Sequence, residues 1–483
     1  MAFSNYLRKG QLLSLSILMS LLLFSCEWFK PARETPQDKV YKDDDVGEIQ
    51  GTKVFDPETG EWRTVREVSG KVDTVKWVEM SEDKYPPITT NSPWNTTGTT
   101  GGGTTTTPTT PSGTYNVALA MPFLTQNARA NSIDENASLA IQFYGGAKIA
   151  YESLQQGGAN LNISVMDTEG TTAKMNNLMR GNDMLRADLV IGPYKRENVS
   201  LAASFSKTNK IPLVVPYTAQ MGMAENNPFY IQVNPSLKSH CEAITRHVRN
   251  RYKTEDVVLV ALDNPDEKAR LRYFQDANAT IEGQRTGTQF KEMLVGDNAS
   301  GIAKMNVKPY IRQGKTTIFV VPSWSNESFV YSLLRQLMVE KSDGHDIVVY
   351  GMPSWMDYEQ VDYEFFEKLQ VHVSSATYIN QDDEKVKQFR RKFFDTYGTV
   401  PSEDAFLGHD VMLYFGKMLQ KYGKDFPSRL DQEPFDVLHG RFQFERVVLD
   451  PSRQRENLNS FDQLENKFVY ILKFQDYRFQ PAD

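Results

Sequence analysis

The sequence predicts an α/β protein: two doubly wound parallel-sheet lobes behind a disordered N-terminal tether. Three observations carry that prediction. After Gly113, short runs that are apolar on both faces alternate with helical periodicity, as in a parallel sheet covered by helices. The pattern restarts near Leu237, which makes two such units. From 27 to 113, by contrast, only 20 of 87 residues are hydrophobic and none is leucine. That is too little apolar surface to offset the entropy of ordering. The balance of 54 basic against 61 acidic residues, net −7, excludes a nucleic-acid binder held by a general positive field. Two cysteines, Cys26 and Cys241, exclude a disulfide scaffold and a four-thiolate zinc site.

Arg8 and Lys9 precede an apolar run over 12–24 that only serines interrupt. At about 13 residues it is too short to span a bilayer and suits the apolar region of a signal peptide. It stops at Leu23-Phe24-Ser25-Cys26, which resembles the bacterial lipobox. The expectation is removal of 1–25 and acylation of Cys26, whose chains hold a protein on a membrane at ~0.8 kcal/mol per CH₂. The mature chain is then a cell-envelope protein, lipid-anchored and facing the periplasm from the outer membrane.

Residues 26–85 read as a charged, mostly disordered segment. Within it, 54–62 suggests a small hairpin around Pro57-Glu58-Thr59-Gly60. Such a hairpin is marginal alone and can pair with a partner's sheet edge. Residues 86–113 contain 12 Thr, 5 Gly and 5 Pro in 28 positions, a linker reaching tens of ångströms that sets the domain away from its membrane.

The folded part occupies 114–483. Strands are expected over 115–121, 161–166, 187–191 and 211–215, with helices over 137–155, 172–185 and 198–208 between them; Gly157-Gly158 stops the first helix. The second unit takes a helix over 237–252, then strands over 256–262, 290–295 and 316–321. A helix over 328–340 and strands over 346–350 and 371–378 follow. Helices over 382–397 and 405–422 precede strands near 441–447 and 468–474.

Five stretches in this order resemble type I periplasmic binding proteins, the leucine/isoleucine/valine-binding class of two-lobed receptors. They are Gly146-Ala147 to Glu152 with Gly157-Gly158 and Val165-Met166-Asp167; Ile191-Gly192-Pro193-Tyr194; Lys210 to Thr218; Phe406-Leu407-Gly408-His409-Asp410, with His where the family has Tyr; and His439-Gly440-Arg441-Phe442-Gln443-Phe444. The resemblance spans about 115–475. It implies lobe 1 at about 114–235 and 380–432, and lobe 2 at about 236–379 and 433–483.

The resemblance also implies a ligand between the lobes, at the carboxyl ends of the strands. In the family, loops after the third and fourth strands hold a ligand carboxylate with hydroxyls and helix N-terminal amides. Here those loops carry Tyr194, Lys195, Tyr217 and Thr218. Thr218 matches the family's hydroxyl; Lys195-Arg196-Glu197 replaces its serine run, either to clamp an acidic ligand or to fill the cleft. In lobe 2, Asp263 is the substitute for an acid that meets an ammonium, or an N-cap for the next helix. Trp324 and Trp355 are stacking platforms or interlobe packing.

No phosphate loop, nucleophile elbow or HExxH pattern occurs, and His240 and His247, seven apart, lack an acid at ligand spacing. The sequence therefore predicts no enzyme, no metal and no cofactor. Two functions remain. One is a tethered receptor for a small polar ligand, serving a permease or sensor. The other is an envelope interaction module, since the fold also resembles the C-terminal domain of outer-membrane lipoproteins that activate penicillin-binding peptidoglycan synthases. That group has no evident small ligand, and a long spacer suits it.

Overall fold

The computed structural model describes residues 53–56, 61–64, 113–129, 132–281, 288–342, 344–449 and 461–482. The Cys26 lipidation site, the signal segment and residues 86–112 of the spacer lie outside them. Strands β1 (Lys53–Asp56) and β2 (Glu61–Thr64) pair antiparallel, Lys53 opposite Thr64.

The first sheet starts with β3 (Tyr115–Met121), β4 (Leu161–Asp167), β5 (Leu189–Ile191), β6 (Leu213–Val215) and β7 (Tyr230–Gln232). All five run parallel, in the order β4-β3-β5-β6-β7. Between them lie helices α1 (Ser138–Gln156), α2 (Thr172–Met179), α3 (Asn182–Leu185) and α4 (Arg196–Asn209). The single helix expected over 172–185 is thus two. It breaks where Gly181 N–H returns to Leu178 O at 2.9 Å and the backbone of Gly181 turns extended.

The second sheet repeats the plan. After α5 (Leu237–Arg251) come β8 (Val257–Leu262), α6 (Pro265–Thr280), β9 (Lys291–Val295), α7 (Ala299–Ala303) and β10 (Thr317–Val320). Then follow α8 (Glu327–Ser342), β11 (Ile347–Gly351), α9 (Tyr363–Lys368) and β12 (His372–Ser375). The order β9-β8-β10-β11-β12 is again parallel. In both sheets the second strand sits outside the first. The order in which strands are added therefore reverses beside the first strand, the place where open α/β sheets offer a crevice.

Helices α10 (Glu384–Tyr397) and α11 (Glu403–Tyr422) return to lobe 1. Helix α11 crosses α1 through paired glycines: a Cβ on Gly146 would stand 1.8 Å from Ala405 O, and one on Gly408 2.0 Å from Phe143 O. These glycines are there for close approach, and both lie in the motifs that carried the family resemblance.

The chain's last part corrects one expectation. The resemblance places 433–483 in lobe 2, yet after a short antiparallel pair, β13 (Phe435–Asp436) with β14 (Arg441–Phe442), strands β15 (Phe444–Val447) and β16 (Gln463–Asn466) extend the first sheet, β16 parallel to β7. Among the described residues of this part, β17 (Tyr470–Gln475) and β18 (Arg478–Pro481) join the second sheet, β17 antiparallel to β12 and to β18. Leu464, wholly buried in the lobe 1 core, supplies the reason: that core needs a strand to close beside β7. Among the described residues the chain therefore changes sheet three times, at 233–236, 376–383 and 467–469.

Candidate functional site

The lobe 1 face of the crevice is built by the loops after β5 and β6 and by the start of α11. Gly192-Pro193, joined by a cis bond, leads to Tyr194, after which α4 begins with no side chain capping its first turn. Tyr194 meets Tyr217 edge to face, centroids 5.1 Å apart, and Lys195 Nζ stands 5.5 Å from the Tyr194 centroid. Three of the predicted residues thus form one cluster. Thr218 follows directly; its Oγ1 accepts from Gln220 N–H at 3.3 Å and keeps its own proton to donate. Lys195, Arg196 and Glu197 are all exposed. They do not plug the crevice as buried side chains.

Tyr217 reveals a residue that the sequence reading missed. Its hydroxyl donates to Asp404 Oδ1 at 3.0 Å, and its ring rests on Phe143, 5.9 Å away. Burial first, and then the adjacent Asp404 carboxylate, push the Tyr217 hydroxyl well above its usual range. Burial, followed by the charge on Glu403, pushes the Asp404 carboxyl up to about 6, against the pull of hydrogen bonds from Tyr217 and Ser402. Glu403 is also raised, by crowding from surrounding protein and by Asp357 of lobe 2, while His439 pulls it down. Yet Glu403 remains open to water. Its position is that of a group in a crevice, hemmed by protein and still wet. Acids opening a helix are common dipole partners, so nothing in the sequence set these two apart.

The lobe 2 face spends its polar groups on itself. Asp263 is half exposed and ion-paired with Lys268; the N-cap of α6 is Asn264, accepting from Glu267 N–H at 2.9 Å. Trp324 is half buried, its indole edge-on to His240 at 6.1 Å. The Trp324 carbonyl accepts from Ser354 Oγ and from the Tyr358 hydroxyl. Trp355 departs from the expected platform: it is 0% exposed, and its Nε1–H donates to Ser323 O at 3.1 Å. Its ring fills the space over Gly351, where a Cβ would come within 2.3 Å of it. The apolar area of that indole is worth more inside the lobe 2 core than in the crevice. Trp355 presents no face to a ligand.

Behind the crevice, buried charges hold the crossings between lobes. Glu465 on β16 accepts from Ser236 N–H at 2.9 Å and from Ser239 Oγ at 2.6 Å, both at the start of α5. Lys467 Nζ lies 3.2 Å from Glu465 Oε2 and 2.8 Å from Ser239 Oγ. Burial favours the neutral carboxyl of Glu465, but Lys467 and the serine hydrogen bonds hold it below its usual value. At the middle crossing, Tyr378 N–H donates to His439 O at 2.8 Å. His439 in turn is held by Asp410 Oδ2, 3.0 Å from its N–H and 2.5 Å from its Nδ1. Asp410 Oδ1 bonds His409 Nδ1 at 2.7 Å. Two histidines on one wholly buried carboxylate outweigh its desolvation and keep Asp410 below its ordinary range. Among the described residues, no group of three or more His, Cys, Asp or Glu could hold a metal ion. No helix among them is long and apolar enough to cross a membrane.

The model of the receptor family ligand binding region matches residues 149–467. Among solved structures, a protein from Rhodospirillum rubrum assigned as a branched-chain amino acid ABC transporter is similar. It is 14% identical, with 76% of this chain and 100% of that chain covered and a TM-score of 0.55. An ABC-type branched-chain amino acid transporter protein from Rhodopseudomonas palustris gives 12% identity, 76% and 95% coverage and a TM-score of 0.51. Full-length LpoA from Haemophilus influenzae gives 10% identity and a TM-score of 0.50, covering 77% of this chain and 59% of that one. No curated protein sequence matches. At these identities the likeness is one of fold, and the family match covers roughly two thirds of the sequence. The chain belongs to the receptor family ligand binding region and has the two-lobed fold of type I periplasmic binding proteins.

Proposed function

We propose that this chain is an envelope lipoprotein, anchored through acylated Cys26 and facing the periplasm from the outer membrane. In this reading its two-lobed domain captures a small polar ligand for transport or sensing, without catalysis. The observation that carries the reading is the lobe 1 cluster. Edge-to-face Tyr194 and Tyr217, exposed Lys195, the Thr218 hydroxyl and the uncapped start of α4 all stand at the carboxyl ends of β5 and β6. Such a surface offers an aromatic wall, a cation and free amide donors to one ligand. Asp263 and Trp324 supply the opposing wall, and Trp355 supports it from within the core. Amino acids of the kind carried by the transporter relatives are the first ligands to test, with peptides and muropeptides beside them. Thermal unfolding of the full chain with each compound is the experiment. A true ligand at a hundredfold excess over its Kd adds ~2.7 kcal/mol, and Tyr194→Ala or Thr218→Ala abolishes the gain. A panel without any shift sinks the receptor reading.

One observation favours a second reading, an envelope interaction module without a small ligand. The lobe 2 rim is committed to internal contacts: Asp263 to Lys268, Trp355 to Ser323, and the Trp324 carbonyl to Ser354 and Tyr358. The 86–113 spacer gives such a module reach toward an envelope synthase. Cross-linking in cells separates the two: recovery of a permease or sensor alone supports the receptor, and recovery of a peptidoglycan synthase supports the module.

A further inference from the structure

Helix α10 is basic in an acidic chain. It holds five cations (Lys385, Lys387, Arg390, Arg391 and Lys392) against two carboxylates, Glu384 and Asp395, in a protein of net charge −7. Its inner face, Val386, Phe389 and Phe393, is buried against Ile149 and Phe406. The outer flank is different. Lys387, Arg391 and Phe394 follow one another at i, i+4 and i+7 and so share one side of the helix, with Asp395, i+4 from Arg391, at the edge of that flank. Phe394 is 47% exposed, Tyr397 37% and Val400 45%.

These apolar groups project. All seven residues from 394 to 400 are exposed, and Gly398, at φ 72°, turns the chain away from the helix axis. The tip is nevertheless held in place: Tyr397 OH donates to Gly145 O at 3.3 Å, and Ser402 N–H to Gln142 Oε1 at 3.2 Å. A groove would suit a partner's helix. A projecting aromatic and aliphatic tip beside cations suits a surface that it can enter, with charge outside and apolar groups within.

We propose that the end of α10 and the turn after it dock on an anionic lipid bilayer, with Lys387 and Arg391 at the headgroups and Phe394, Tyr397 and Val400 in the interface. The partner is set by charge complementarity: anionic headgroups attract cations beside a surface, and the attraction fades within a Debye length. This contact is separate from the anchor at Cys26 and orients the domain once the tether has brought it near a membrane.

The test uses the full chain carrying Cys26→Ser, so that no acyl group contributes, and phosphatidylcholine vesicles with or without phosphatidylglycerol. The expected result is co-sedimentation that depends on phosphatidylglycerol and weakens with added salt. Arg391→Glu should lower partitioning about tenfold, and Phe394→Ser with Val400→Ser should lower it without changing the salt dependence. Arg391 is exposed, so its variant folds even if the apolar pair does not. Sedimentation that is absent, indifferent to phosphatidylglycerol, or unchanged in Arg391→Glu overturns the proposal. So does loss of an envelope-protein cross-link in Arg391→Glu while vesicles remain unbound, which would make this a protein dock.

Discussion

The two lobes share a strand order and differ in what they bury. Lobe 1 places Asp410 between His409 and His439, an ionised carboxylate with two donors. Lobe 2 places Tyr350 between His247 and His372: its hydroxyl is 2.9 Å from His247 Nδ1, and its ring stacks on His372 at 4.6 Å. At these two clusters lobe 1 stabilises a buried charge, while in lobe 2 burial keeps the His372 imidazole neutral. The same contrast reaches the crevice, where lobe 1 keeps ionisable and aromatic groups at the rim and lobe 2 turns its rim inward. The same five-strand plan thus carries two solutions, one suited to meeting a partner and one to standing firm behind it.

The largest break in this comparison should come at the helix crossing of lobe 1. Gly408→Ala drives a methyl group into the backbone of Phe143, which cannot move aside as a side chain could. The loss expected exceeds about 3 kcal/mol, and chemical denaturation should show no cooperative native baseline. Trp355→Ala is the matching change in lobe 2. It empties a fully buried site and leaves the Ser323 carbonyl without its indole donor, at a cost of about 3–5 kcal/mol. If Trp355→Ala instead keeps full stability and alters only ligand binding, its placement as core is wrong.

Acidification should divide the lobes by sign. In lobe 2, burial depresses His372 to about 3 and His240 to about 4 from an ordinary 6.5. The unfolded chain then takes up protons that the folded one refuses, and stability falls as pH drops below 6.5. With two such groups the loss between pH 7 and pH 5 is about 4 kcal/mol. In lobe 1, Asp404 at about 6 lies above its unfolded value of 3.8. The folded form binds the proton first, so lobe 1 gains about 1–2 kcal/mol, after allowance for solvent, as pH falls from 6 toward 4. Hydrogen exchange resolved by peptide should show lobe 2 loosening first, and His372→Phe should flatten its pH dependence. Uniform loosening of both lobes would contradict the contrast.

The smallest effect sharpens the rim. Tyr217→Phe removes one hydrogen bond to Asp404, costing about 1 kcal/mol. Because that bond favours the ionised carboxyl, the Asp404 titration should move upward from about 6. An NMR midpoint that stays put would mean the hydroxyl lies elsewhere.

Much of this architecture was legible in the sequence, because strands such as β8 and β10 are apolar on both faces and read as buried whatever their neighbours. Helix α6 was not, despite an Asn264-Pro265-Asp266-Glu267 start that caps it well; its surface carries charges all round and gives little periodic signal. Strand β7 is three residues long and has no local signature. At the site, Tyr194, Lys195, Tyr217 and Thr218 were named by the family resemblance, and Tyr194, Lys195 and Tyr217 lie together because loops after adjacent parallel strands converge. Asp404 and Glu465 escaped notice because their partners, Tyr217 and Ser236, lie 187 and 229 residues away. No spacing rule reaches that far. For Trp355 the sequence leaves platform and packing open, because exposure cannot be inferred from residue type: the same indole serves a ligand or a core equally well.

The carboxylate of Glu465 has one more consequence. Its contact with the start of α5 closes a loop of 229 residues, and the same strand completes the first sheet beside β7. Such distant pairings are slow, since loop-closure entropy must be met before the contact returns anything. An emerging chain can assemble β3 to β7 early, but that sheet waits with an open edge until residues 463–466 arrive. The joint between the lobes is therefore among the last things to form, and a holding factor that shields the β7 edge meanwhile would raise the yield of native protein.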